Sequence, residues 1–98
     1  ARLHANRILI SSQARMLSSK PPKYPDGEHG DGRVKFTFIV DEEGIAVPTT
    51  IQALEATGGA FVRPGYEALR GAVFAPARAG GCPVKERVTM DLTWRLGH

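Results

Sequence analysis

Apolar and polar residues alternate almost without a break from Val84 to Leu96. Val84, Val88, Met90, Leu92, Trp94 and Leu96 fall on one side, and Lys85, Arg87, Thr89, Asp91, Thr93 and Arg95 on the other. A period of two sustained over this length predicts a half-buried strand with one wet face. The same period governs Arg33 to Asp41, where Val34, Phe36, Phe38 and Val40 are apolar and β-prone while their neighbours include Lys35 and Thr37. Glu42-Glu43-Gly44 then supplies a short turn in which Gly44 can take positive φ. Ile45, Val47, Ile51 and Ala53 continue the alternation through Ile45 to Leu54, so the two runs predict a hairpin. Pro48 cannot donate to a ladder, and the second strand is expected to have an unpaired side or a bulge there.

Beyond Gly58-Gly59 the period changes. Val62, Tyr66, Leu69 and Val73 recur at spacings of four, three and four, which stacks them on one stripe of a short helix from roughly Pro64 to Phe74. Gly65 and Gly71 weaken that helix, so packing on a sheet must hold it in place. Ala75 to Gly81 stops it and leads into the terminal strand. The order strand, strand, helix, strand predicts a small α+β domain, a three-stranded antiparallel sheet with one helix packed on one face.

The start of the chain is patterned differently. Leu3, Ile8, Leu9, Ile10, Ala14, Met16 and Leu17 fit neither a helical stripe nor alternation. Residues 1–20 therefore read as an N-terminal arm with a short strand at Arg7 to Ser11. Lys20-Pro21-Pro22-Lys23-Tyr24-Pro25 enforces an extended segment, and the folded unit, residues 21–98, is expected to begin there. Asp26 to Gly32 is a tight glycine-rich, acidic loop.

Composition bounds the possibilities without choosing among them. Ninety-eight residues, 42% hydrophobic and 23% charged, make one globular domain, large enough to bury roughly 60–65% of the surface of its unfolded chain. The net charge of +3 favours acidic partners, although no run of Lys or Arg is present. Cys82 stands alone, which excludes an internal disulfide framework and a cysteine-based metal site, and it reads as a small loop thiol. The longest apolar run falls far short of the ~20 residues of a membrane helix. A chain that opens at Ala1 without Met reads as a trimmed piece of something longer.

Catalytic chemistry needs convergent polar groups, and the sequence offers no such constellation. His4, His29 and His98 are far apart with no HExxH spacing. Asp26, Glu28 and Asp31 lack the later acidic residue of a calcium loop. Ser11, Ser12, Ser18 and Ser19 have no nucleophile-elbow glycines, and Gly80-Gly81 leads into a strand rather than a phosphate-cradling helix. No catalytic, metal or cofactor residue is expected. Sheet-based RNA readers display aromatic residues on an open face, whereas Phe36, Phe38 and Trp94 share the face assigned to the core, so no nucleic-acid partner is expected.

A long strand at the end of a small chain is expected to have one neighbour, which leaves a row of backbone donors and acceptors for another chain. The candidate partner-binding residues are accordingly Lys85, Glu86, Arg87, Val88, Thr89, Met90, Asp91 and Thr93.

Taken in order, P-P-K-Y-P, then G-R-V-K-F-T-F-I-V-D-E-E-G, the helical E-A-L, and F-A-P-A-R-A-G-G-C-P-V before an alternating strand resemble the C-terminal domain of TonB-type energy transducers. Tyr24 and Pro25, Gly32 with Val34, Asp41 with Gly44, and Phe74, Pro76, Gly81, Pro83 and Val84 occupy the family's motif positions, and the likeness covers about Pro21 to Leu96. Two departures stand out. The family's short helix between Tyr-Pro and the first strand is replaced by the Asp26 to Gly32 loop, and its aromatic pair at the helix end is reduced to Val73 with Phe74.

The resemblance implies a periplasmic domain, part of an inner-membrane-anchored protein of Gram-negative bacteria. Such a domain takes the TonB box of an outer-membrane receptor by strand addition and passes on force from an ExbB/ExbD-type inner-membrane motor. Peptidoglycan is a further partner on this reading, and Tyr24 and Pro25 are a second receptor contact; the open strand edge itself also permits pairing with a second copy of the chain. The alternative expectation is a TolA-like or secretion-associated periplasmic scaffold that uses the same sheet edge.

Overall fold

Two nine-residue strands lie side by side through the molecule because their alternation matches over their whole length. The computed structural model describes residues 12–95. In chain order the elements are β1 (Arg15–Ser18), β2 (Gly32–Val40), β3 (Gln52–Ala56), α1 (Val62–Arg70), β4 (Val73–Ala75), β5 (Ala77–Ala79), β6 (Cys82–Val84) and β7 (Glu86–Trp94). The main sheet has the order β3-β2-β7 and is antiparallel throughout. Two small two-stranded sheets, β1-β4 and β5-β6, accompany it. The expected α+β architecture is present, with α1 on one face of a three-stranded sheet.

Central β2 supplies the core. Val34, Phe36, Phe38 and Val40 are 0–1% exposed, and Leu69 of α1, Phe61, Phe74 and Trp94 close over them. Gly65 explains how a helix weakened by glycine is seated. A Cβ there would lie 2.5 Å from Cε2 of Phe36 and 3.1 Å from Cη2 of Trp94, so its hydrogen lets the helix rest directly on both rings. Gly65→Ala should therefore lower stability. The roughly 1 kcal/mol of helix propensity that alanine brings is outweighed by overpacking of about 1–3 kcal/mol. The expected result is a lower urea midpoint at unchanged slope, and a raised midpoint would show that the rings yield.

The helix ends earlier than its apolar stripe suggests. Gly71 follows Arg70 as the cap, its N–H donating to the Glu67 carbonyl at 3.3 Å, and Ala72 N–H reaches the Leu69 carbonyl at 3.2 Å. Val73, expected on the buried stripe, lies instead in β4 and is 50% exposed. Phe74 turns inward in its place, its ring 5.6 Å from that of Phe38.

The hairpin after β2 forms around Asp41, whose carboxylate accepts the N–H groups of Glu43 (2.9 Å) and Ile45 (3.0 Å), and Gly44 takes φ +82°. The strand expected from Ile45 to Leu54 is divided. Ala46 makes a single bridge to Val40, a 3-10 turn spans Pro48–Thr50, and β3 follows. Where the turn forfeits a ladder bond, Thr50 Oγ1 accepts the Ile39 N–H at 2.9 Å and donates to the Val47 carbonyl at 2.7 Å. The Asp41 turn also sets the facing one residue away from the expected alternation, burying Ala46 and leaving Ile45 exposed.

The second half of the N-terminal arm joins the fold, upstream of the expected start at Pro21. Here β1 pairs with β4, Ser12 exchanges backbone bonds with Arg78 at 3.2 and 2.9 Å, and Ala14 N–H donates to Glu86 Oε1 at 2.7 Å. The strand expected at Arg7 to Ser11, and Leu96, lie outside the described residues. What reads as a plain connector near Gly80-Gly81 is the turn of the β5-β6 hairpin, both glycines at positive φ. No helix among the described residues is long and apolar enough to cross a membrane.

Candidate partner-binding edge

The backbone of β2 decides which groups of β7 are available. The carbonyls of Arg33 and Ile39 accept N–H groups of Thr57 and Val47, both at 2.9 Å, and the N–H groups of Arg33 and Ile39 donate to Thr57 Oγ1 and Thr50 Oγ1. Odd-numbered residues of β2 thus direct their backbone toward the β3 side. Even-numbered ones direct theirs toward β7, where they meet Glu86, Val88, Met90, Leu92 and Trp94 in an unshifted register. The backbone N–H and C=O groups of Arg87, Thr89, Asp91 and Thr93 consequently point away from the sheet. No strand pairs with that edge among the described residues.

The two edges of the sheet differ. At five residues β3 is short, its register slips opposite Lys35 and Phe36, and the Pro48 turn precedes it. Short length, a bulge and a nearby proline are how edges are protected against pairing. By contrast β7 runs nine residues with no shift. Its inward side chains Val88, Met90 and Leu92 touch the core but are only half-buried, unlike those of β2. An added strand would both take up the outward backbone groups and cover this apolar row.

The expected site residues distribute as follows. Arg87 Nη1 donates to Thr37 Oγ1 at 3.3 Å and the Thr89 hydroxyl lies 3.4 Å from the same oxygen, so Thr37 is buried beneath them on the open face. Asp91 pairs with Arg33 at 3.6 Å, across exposed surface where such a pair contributes about 0–1 kcal/mol. Glu86 is turned to Ala14. Lys85, between β6 and β7, is exposed, as is Thr93. Lys85 to Thr93 thus share one edge by chain continuity.

Tyr24 and Pro25 do not join that edge. The Tyr24 hydroxyl donates to the Gly30 carbonyl at 2.6 Å and accepts the Gly30 N–H at 3.0 Å, closing the Asp26 to Gly32 loop on itself. The Tyr24 ring meets Phe61 edge-on at 5.9 Å, and Phe61 in turn packs at 5.1 Å from Trp94, at the far end of β7. The indole of Trp94 donates to the Lys23 carbonyl at 2.9 Å. These contacts give the Tyr-Pro segment a structural task, fastening the extended chain to the core.

Sequence reasoning missed Thr37, which supports the wet face of the edge, and Arg33, the partner of Asp91. Both lie on the polar side of β2, opposite β7 residues whose register could be read from matching alternation. Among the described residues no group of three or more His, Cys, Asp or Glu side chains could hold a metal ion, and Cys82 is exposed in β6. Set against protein-family models and against curated proteins, the chain matches none.

Proposed function

We propose that this domain is a peptide-capture module of the TonB energy-transducing kind, which takes an extended segment of an outer-membrane receptor as a strand on β7. The observation that carries this reading is the unshifted nine-residue β7 with outward-facing backbone groups at alternate residues and a half-buried apolar row beside them. Strand addition draws affinity from backbone bonds and selectivity from alternate side chains. Val88, Met90 and Leu92 would meet the apolar side chains of the incoming segment, and Lys85 and Arg87 would favour acidic ones.

The task is mechanical rather than catalytic. Each backbone bond contributes a net ~0.5–1.5 kcal/mol, yet a segment pulled along the strand direction must break several together. The domain would work in the periplasm, with force reaching it from an inner-membrane motor of the ExbB/ExbD type. The sequence likeness at Tyr24-Pro25, Asp41 with Gly44, and Phe74 to Val84 supports assignment to this system over a TolA-like or secretion-associated scaffold.

The test is an NMR titration of labelled domain with TonB-box peptides. Shifts concentrated at Arg87, Thr89, Asp91 and Thr93 are expected, because their amides gain hydrogen bonds. If a folded, monomeric domain shows no shift with any such peptide, the transducer reading gives way to the scaffold one.

A further inference from the structure

A groove of about 630 Å³ separates the extended segment at Pro21 and Pro22 from one flank of α1, and no residue of β7 lines it. Its walls are apolar and poor in donors. Pro21 and Pro22 stand on one side, Pro64 and Ala68 on the other, and the three prolines have no N–H to offer.

Its rim is cationic. Lys20, Lys23 and Arg63 are exposed, and none belongs to an ion pair among the described residues. The one acidic residue there, Glu67, is drawn to Arg70 at 3.5 Å. The adjoining first turn of α1 has no capping side chain and no acidic residue, so its positive end adds to the same field. The proline-fixed wall is anchored by the bond from the Trp94 indole to the Lys23 carbonyl, and a preformed groove lowers the ordering cost of binding.

We propose that this groove binds an extended acidic peptide segment of a partner protein, its carboxylates meeting Lys20, Lys23 and Arg63 and its small apolar residues lying against the proline walls. Lys20 and Lys23, three residues apart on an extended chain, are separated by roughly 9 Å, which suits carboxylates similarly spaced on another extended chain better than one compact anion. Two opposed walls exclude a flat bilayer, and the absence of an aromatic ring from the lining removes the usual stacking surface for a sugar. The contact is separate from the β7 edge and does not depend on the transducer reading.

The test is an NMR titration of the same chain with a short capped peptide of Glu-Pro-Pro repeats, whose carboxylates recur every three residues at roughly 9 Å, beside its glutamine counterpart. Shifts are expected at Lys20, Lys23, Arg63 and Ala68 with the glutamate peptide alone, leaving the β7 amides unmoved. Two exposed positions on α1 change the rim without touching the core. Arg63→Glu should weaken binding about fivefold or more and Glu67→Lys should tighten it by a similar factor, as expected for partly exposed charge pairs. Equal binding of the two peptides, unchanged affinity in both variants, or shifts spread equally over Lys85 and Arg95 would overturn the proposal. So would binding to phosphatidylglycerol vesicles in place of the peptide.

Discussion

Thr89→Pro should leave the domain folded and remove strand capture, whereas Met90→Pro should unfold it. The two positions are adjacent and differ in where their backbone points. Met90 faces Phe36 within the ladder, and its N–H is directed into the sheet, so proline there strands an acceptor on β2 and deletes a side chain packed against the core. Those losses amount to about 3–5 kcal/mol, a large part of the stability of a domain this size. Thr89 directs its N–H outward, and edge positions of that kind tolerate proline. Its replacement costs the weak hydroxyl contact to Thr37 at 3.4 Å and one outward donor, while the ring obstructs any strand laid alongside. Loss of one or two interstrand bonds, at about 1 kcal/mol each, by itself predicts a roughly five- to thirtyfold drop in peptide affinity, to which the obstruction by the ring adds. Thermal melts and peptide titration of the two variants separate the effects, with Asp91→Pro as a second outward position. Undiminished capture by a folded Thr89→Pro domain would rule out this edge.

Gly44→Ala is expected to cost about 3 kcal/mol, far more than the same change at Gly80. Both glycines have positive φ, +82° and +60°, and for any L-residue that conformation costs roughly 1–2 kcal/mol. Around Gly80 a Cβ would find open space. At Gly44 it would run into the carbonyl oxygen of Phe74, a backbone atom that cannot retreat without weakening the 2.9 Å bond from Phe74 N–H to the Gly44 carbonyl. Overpacking against such a neighbour adds about 1–3 kcal/mol. For a domain of this length the melting temperature should fall by roughly 10–20 °C for Gly44→Ala and by about half of that or less for Gly80→Ala. Equal losses at the two sites would mean that the hairpin tip does not bear on β4.

The strands that could be read from sequence are those whose facing is set by their own alternation. Phe36 and Phe38 had to be core because Lys35 and Thr37 flank them, and Val88 to Trp94 followed by the same rule. The helix could be read from Val62, Tyr66 and Leu69, but the stripe carried on to Val73 because periodicity does not register a cap. Gly71 ends the helix through backbone bonds that a pattern of apolar residues cannot encode. Ile45 and Ala46 exchanged faces because the Asp41 carboxylate, a local hydrogen-bond acceptor, fixed the turn before the alternation began. The small sheets β1-β4 and β5-β6 were invisible for another reason. Strands of three or four residues hold too few alternations to have a period, and β1 is defined by a partner more than fifty residues away. The β7 edge could be foreseen from its position at the end of the chain. Which of its residues face outward required the register with β2, and the groove beside α1 required knowing that a proline segment returns across the helix.

The bond from the Trp94 indole to the Lys23 carbonyl has an optical consequence. Trp94 is the one tryptophan in the chain, and it is buried between the rings of the core and the extended segment that leads into the domain. Its fluorescence therefore reports two events by different routes: unfolding exposes the ring and shifts emission to the red, whereas detachment of the leading segment first releases the indole N–H to water. The domain carries, without labelling, a reporter of whether the extended segment between β1 and β2 stays docked on its core.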